Sequence, residues 1–324
     1  MIARIKKYIN TYRQYDWHSI GNGHGFLAVL DCLKSRVVDG TNTEQFITLE
    51  FYRKSQGERK LFVTNRKTVR LDKLSVSGAS NEELESIRDK TAFNRKYSKF
   101  VKRGFLATKD ASPTAVEEFI KCYGKVIVKP IASTQGRGIA IIEYAQDSIK
   151  AWTQKLAFSD YIVEQYITQH PAMNRINPTS VNTVRICTVL DASHTAHVIG
   201  AGLRCGGAGS YVDNFHHGGV AYPIDIEHGV VCGRGKKTSD HKLYSCHPAT
   251  GTLMLGFAIP HWDMVMQSAK EAAEMSDRVA YLGWDIAVTE DGVEIIEAND
   301  GQGCTMWQLD NVGKYPKICS LIRK

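Results

Sequence analysis

Two carboxylates and an amide are spaced to share a divalent cation. In Gly283-Trp-Asp-Ile-Ala-Val-Thr-Glu-Asp-Gly-Val-Glu-Ile-Ile-Glu-Ala-Asn299, two apolar-rich runs flank Glu290-Asp291-Gly292, which predicts a hairpin over 284–298. With a three-residue loop at 290–292 and Gly292 left-handed, Thr289 faces Val293. Stepping back along both strands sets Asp285 opposite Glu297, and Asn299 falls on the same face. Like charges directly opposed repel, and buried acids need a partner, so the pair calls for a cation. Oxygen ligands in this number suit Mg²⁺ held jointly with substrate phosphates. The competing reading is an exposed hairpin with polar ends.

A second feature would meet those phosphates. Lys125–Pro130 and Gly138–Glu143 read as short strands joined by Ser133-Thr-Gln-Gly-Arg-Gly138. The small residues let backbone N–H groups approach an anion, and Lys129 reaches the same place. No GxxxxGK[ST] loop occurs, and a strand rather than a helix follows, which excludes the dinucleotide fingerprint. A plain Gly-rich hairpin is the alternative. Third come Arg185 and Arg204 at strand ends and Asp213-Asn-Phe-His-His-Gly-Gly219, suited to carboxylate or phosphate recognition. For either arginine alone, a surface salt bridge competes. His216, His217, His241 and His247 lack ligand spacing for zinc and read as solvated loop residues. Cys187 and Cys205 read as structural thiols.

The elements that must position these groups follow from pattern and composition. The chain has 324 residues, 43% hydrophobic and 23% charged, with a net charge of +7, which excludes a disordered chain. No apolar run approaches the roughly 20 residues of a spanning helix. The N-terminus has no secretory apolar core, and the eight cysteines are scattered without a CxxC pair, so a reduced, cytoplasmic protein is expected. Residues 1–40 read as helical. Ile2, Ile5, Tyr8, Ile9 and Tyr12 recur between Arg4, Lys6, Lys7 and Arg13, a basic amphipathic helix able to contact an anionic membrane peripherally. Residues 43–70 are mixed, and 81–109 show basic helical spacing that suits a half-solvated helix better than a nucleic-acid patch. Helices over Pro113–Tyr123, 145–157 and about 262–281 are expected. Strands are expected at 161–167, 183–190, 196–204 and 219–224. The strands far outnumber crossover helices, so the fold class is α+β with antiparallel sheets.

The order of these features resembles the ATP-grasp superfamily, and most closely its sugar-transfer associated group among polysaccharide biosynthesis proteins. The residues carrying the likeness are Val128-Lys-Pro-Ile-Ala-Ser-Thr-Gln-Gly-Arg-Gly138, Glu164-Gln-Tyr-Ile-Thr-Gln-His170, Ser180-Val-Asn-Thr-Val-Arg-Ile186, and Gly283-Trp-Asp285 with Glu297-Ala-Asn299. Asn214-Phe-His-His-Gly-Gly219 also resembles a loop of ribosomal-protein glutamate ligases. The likeness spans about residues 88–305.

The resemblance implies two α+β subdomains gripping ATP between antiparallel sheets, 88–167 as the lid and central part and 168–324 as the catalytic part. A mixed, mostly helical N-terminal domain of 1–87 would precede them and shape the substrate pocket. Lys129 would bind the α- and β-phosphates under a lid containing Ser133, Gln135, Gly136 and Gly138, and Lys90 of Asp89-Lys90 would match the earlier nucleotide-binding lysine. Backbone from Glu164 through Tyr166 and Ile167 would read adenine. Asp285, Glu297 and Asn299 would hold Mg²⁺. Arg204 and Asn214 would face the γ-phosphate and acyl phosphate, and Arg185 the acceptor. The acid that often holds the ribose is missing, since no Asp or Glu occurs from Gln165 to Leu190, leaving Gln169, His170 or Asn174 in its place.

The expected activity is that of a Mg-ATP-dependent carboxylate–amine ligase acting through an acyl phosphate. The carboxylate is expected on a sugar- or glycan-linked substrate and the amine on a co-substrate, with His216 or Asp213 as base. The alternative is an ATP-grasp kinase phosphorylating a sugar or alditol hydroxyl. A nucleic-acid partner is not expected.

Overall fold

The structure is a computed structural model that describes residues 15–131, 138–145, 148–207, 209, 218–238 and 242–322. The basic amphipathic helix expected over residues 2–13 lies outside them. From Trp17 to Lys96 the chain is mostly helical. It comprises α1 (Trp17–Ile20), α2 (Gly25–Val38), α3 (Thr43–Thr48), α4 (Gln56–Lys60), α5 (Asn65–Ser75), α6 (Asn81–Arg88) and α7 (Lys90–Lys96). Polar caps set their starts: Asn42, Ser55 and Ser80 each accept from a backbone N–H in the first turn of α3, α4 and α6. Residues 43–70, expected as mixed, are therefore helical. The expected helical run of 81–109 is two helices followed by a strand.

A first sheet contains β1 (Phe105–Ala107), β2 (Lys125–Pro130), β3 (Ala140–Glu143) and β4 (Tyr161–Gln165), in the order β1-β4-β2-β3. It is flanked by α8 (Pro113–Tyr123) and α9 (Ile149–Leu156). Every pairing is antiparallel. The expected strand of 161–167 ends at Gln165, where the chain leaves for α10 (Pro171–Ile176).

The second sheet holds β5 (Thr183–Leu190), β6 (Ala196–Cys205), β7 (Val220–Asp225), β8 (Val230–Val231), β9 (Gly235–Lys236), β10 (Leu243–Tyr244), β11 (Tyr281–Thr289) and β12 (Gly292–Asn299). Its order is β10-β9-β7-β6-β5-β11-β12, with β8 beside β7, again antiparallel. The helix expected over 262–281 is α11 (Trp262–Glu274) and stops early. The Glu83 carboxylate accepts from Ser276 Oγ and from the backbone N–H groups of Arg278 and Val279, drawing that segment out of the helix.

The two faces of this sheet differ. Trp284, Ile286, Val288, Val293 and Ile295 point into the main core with Val265, Ala269 and Ala272 of α11. On the other face Cys187, Val189 and Tyr281 pack with Val63 and Leu71 of the N-terminal third and with Trp307 and Ile318. The N-terminal helices therefore share a core with the sheet, besides their own small core around Phe46, Leu49 and Phe51. Ile318 belongs to α12 (Tyr315–Ile322). Gly200 of β6 is needed here, because a Cβ would lie 2.4 Å from the Trp307 carbonyl oxygen. Among the described residues no helix is long and apolar enough to cross a membrane.

Candidate active site

The acid pair forms by a different register from the expected one. Thr289 pairs with Gly292, so the hairpin loop is Glu290-Asp291, one residue shorter than expected. A β-bulge between Ile286↔Ile295 and Asp285↔Glu297 then takes up Ile296. The two one-residue differences cancel, and Asp285 lies opposite Glu297 as expected. Asn299, two residues on, turns its Nδ2 to within 3.5 Å of Glu297 Oε1.

The neighbouring strands add cations. Arg185 of β5 pairs in register with Asp285, and Arg204 of β6 with Thr183. Arg185 grips the Asp285 carboxylate with Nε and with Nη2, the latter at 2.7 Å. Arg204 Nη1 donates to the same carboxylate at 2.6 Å. Both arginines thus engage one buried acid rather than solvent. Burial pushes Asp285 up, but the two guanidiniums outweigh it and hold the carboxyl well below its usual range. Glu297 keeps the opposite balance. Burial and the adjacent Asp285 charge raise its pKa, and the arginines offset this only in part.

A second buried cluster joins the two sheets. Arg103 donates from Nη1 to Glu294 of β12 at 2.7 Å and from Nη2 to Glu164 of β4 at 2.8 Å. Glu164 also accepts from Lys129 Nζ at 2.6 Å and from Asn94 Nδ2 at 2.7 Å. Burial pushes Glu164 up, yet Arg103 and Lys129 keep it far below the usual carboxylate range. The side chain expected only to flank an adenine-reading backbone is thus an anchor for Lys129.

Lys90 links the clusters. Asp89 caps α7 by accepting from the Thr91 and Ala92 N–H groups, which fixes Lys90 at the first position of the helix. Lys90 Nζ donates to the carbonyls of Pro130 and Ile131 at 3.3 and 3.2 Å, at the entrance to the Gly-rich turn. Burial lowers its pKa, while Glu297 and Glu164 oppose that and Lys129 adds to it, so it lies within the field of both clusters. Gly138 closes the base of the turn. Its φ is 74°, and a Cβ would come within 2.8 Å of the Pro130 ring. Ser133, Gln135 and Gly136 of the turn lie outside the described residues, as do Asp213, Asn214 and His216.

Other expected groups fall elsewhere. Tyr166 and Ile167 are half-buried where the chain passes between the sheets, and the Tyr166 ring carries Lys125 Nζ at 4.5 Å. Gln169 is spent on structure: its Nε2 donates to the carbonyls of Asn177 and Ser180, and its Oε1 accepts from Asn182. Asn174 accepts from Gln169, and His170 caps α10. His247 is buried, not solvated, with its ring bonded to the Gly206 carbonyl. Of the basic 81–109 segment, Arg88 pairs with Asp300, Lys96 bonds Ser86, Lys99 pairs with Glu271, and Arg103 is buried. Cys187 is buried, and burial raises its thiol pKa.

Sequence reasoning missed Arg103, Glu294 and Asn94. One signal was available: Glu164 sits within an apolar strand, and a buried acid requires a cation. Among the described residues no group of three His, Cys, Asp or Glu side chains could hold a metal, so a cation here would rest on Asp285, Glu297 and the Asn299 amide.

Two antiparallel sheets facing a lysine-lined turn, with an acid pair on the last hairpin, define an ATP-grasp architecture. The family profile described as sugar-transfer associated ATP-grasp matches residues 87–315, and the chain belongs to that family. No curated protein matches. Among solved structures, the ATP-grasp ligase PsnB with a phosphomimetic variant of its minimal precursor, Mg and ADP is 15% identical, with 83% of this chain and 71% of that one covered at a TM-score of 0.47. Biotin carboxylase from Campylobacter jejuni with β,γ-ATP is 13% identical, covering 74% and 47% at 0.49. D-alanyl-alanine synthetase A from Vibrio cholerae is 14% identical, covering 74% and 61% at 0.44.

Proposed function

We propose that the chain is a Mg-ATP-dependent carboxylate–amine ligase working through an acyl phosphate. The observation that carries this reading is Asp285 facing Glu297, with Asn299 beside them and Lys90 linking them to Lys129. These oxygen donors fit Mg²⁺, because Glu297 is an acid left against another acid. Bound there, Mg²⁺ would neutralise charge developing on the transferred phosphoryl group. The family's description as sugar-transfer associated supports a sugar- or glycan-linked substrate, as in surface polysaccharide biosynthesis. No disulfide joins any of the eight cysteines, which supports a cytoplasmic setting.

Lys90 and Lys129 hold the α- and β-phosphates, Glu164 keeping the Lys129 ammonium aimed at them. Arg204, on the strand next to Arg185, faces the γ-phosphate. Arg185 holds Asp285 in place. The substrate carboxylate attacks the γ-phosphorus and ADP leaves. That oxygen is already charged, so positioning and neutralisation suffice without a base. The amine then attacks the acyl carbon and expels phosphate, which can take up the proton the nitrogen loses as the amide forms.

The test is incubation with ATP, candidate carboxylates and amines, reading ADP release and product mass. An amide formed with one ADP per bond is expected. A stable phosphorylated hydroxyl formed without any amine would overturn the ligase in favour of a phosphotransferase.

A further inference from the structure

The helix α2 is built inside out. The residues it buries are small, namely Ala28, Cys32 and Ser35. Its large apolar residues face solvent: Phe26 is 75% exposed, Val37 is 73% exposed, and Leu27, Leu30, Leu33 and Val38 are exposed too. Phe26, Leu30, Leu33 and Val37 recur at helical spacing and form one stripe along the helix. A contiguous exposed apolar stripe of this kind marks an interaction surface.

The exposed charges on α2 and on α5 are of one sign. Every other exposed side chain on α2 is Lys34, and those on α5 are Arg66, Val69, Arg70, Lys73 and Leu74. The two helices are stitched together, because the Arg66 guanidinium donates to the carbonyls of Arg36, Val37 and Val38 at the end of α2. The two acids at α2, Asp31 and Asp39, are both paired with Arg59. A symmetric contact with a second copy would set these cations against themselves. A bilayer surface instead accepts the apolar stripe and supplies the negative charge. We propose that the α2–α5 face docks on an anionic lipid bilayer, lying in the headgroup plane without crossing it. The preceding sequence, with Arg4, Lys6, Lys7 and Arg13 among Ile2, Ile5 and Ile9, has the same chemistry.

The experiment is co-sedimentation of the full chain with vesicles of phosphatidylcholine alone or mixed with phosphatidylglycerol. Binding is expected only to the phosphatidylglycerol vesicles and should weaken as salt is raised. Charge reversal in Arg70→Glu with Lys73→Glu should weaken binding by about tenfold or more. Leu30→Glu with Leu33→Glu should abolish it, with the melting temperature unchanged because both side chains are exposed. Protein that stays in the supernatant with both vesicle types at low salt overturns the proposal. So does a concentration-dependent dimer that Leu30→Glu with Leu33→Glu dissolves, which would assign the face to a second copy.

Discussion

The cluster around Arg103 and the cluster around Asp285 share strand β12 and the same inventory, two cations and two carboxylates. They differ in how the cations are distributed. Arg103 lies between Glu164 and Glu294, and Lys129 adds a second bond to Glu164, so each acid has its own cation. In the other cluster Arg185 and Arg204 both turn to Asp285, and Glu297 is left facing that acid. The first arrangement is closed and ties the sheets together. The second has room for one more positive charge. Equal charge counts therefore do not mean equal roles, and the difference lies in which acid the guanidiniums choose.

The largest effect should come from opening the closed cluster. Arg103→Met strands two buried acids and should cost about 3–5 kcal/mol in denaturant unfolding. A variant as stable as the parent would break the comparison. Glu294→Gln leaves Arg103 with one acid fewer and should cost about 1–3 kcal/mol. The matching change Glu297→Gln should be neutral or slightly stabilising, because it removes the acid in excess. It should nonetheless abolish ATP turnover, as Asp285→Asn should. Retained turnover in both variants would refute the metal assignment.

Proton uptake sharpens the contrast further. Glu297 has a raised pKa, so it must lose its proton to bind a cation. Mg²⁺ binding should weaken as pH falls through that raised value, with a proton released in that range, as calorimetry in buffers of different ionisation enthalpy would show. Glu297→Gln should remove the proton release. Asp72 of α5 is the control for an acid lacking a guanidinium, since its Oδ1 is buried without a hydrogen-bond partner. Burial, with help from Asp300, pushes its pKa to about 7. The folded state then binds the proton more tightly than the unfolded one, so stability should fall as pH rises from about 4 towards 7. With the carboxyl only partly buried and so screened by solvent, the loss should be about 1–2 kcal/mol. Asp72→Asn should flatten that slope.

Much of this arrangement was legible in the sequence because its parts are local. Lys129 beside the Gly-rich turn, the strands around it, and Asn299 two residues after Glu297 all follow from short-range periodicity. The Asp285–Glu297 pair was reached through a loop one residue too long, and the bulge at Ile296 happened to compensate. Bulges leave no periodic signature, so that register could not be read directly. The Arg103 network was invisible for another reason. Arg103 is 61 residues from Glu164 and 191 from Glu294, and it sits in a basic run that reads as solvated. Gln169 illustrates the reverse error, a polar residue near the expected ribose site whose bonds are all taken by the backbone and side chains that fold around it.

The bulge at Ile296 also bears on how this strand can change over generations. Glu294 and Glu297 are an odd number of residues apart and would face opposite sides of a regular strand, yet the extra residue brings both to the same side. Flattening the bulge at unchanged length would pair Ile296 with Asp285 and swing Glu297 into the core occupied by Trp284 and Ile295. Deleting Ile296, by contrast, would give a regular strand that still sets Glu297 opposite Asp285, so the interval between the two acids should accept loss of its extra residue.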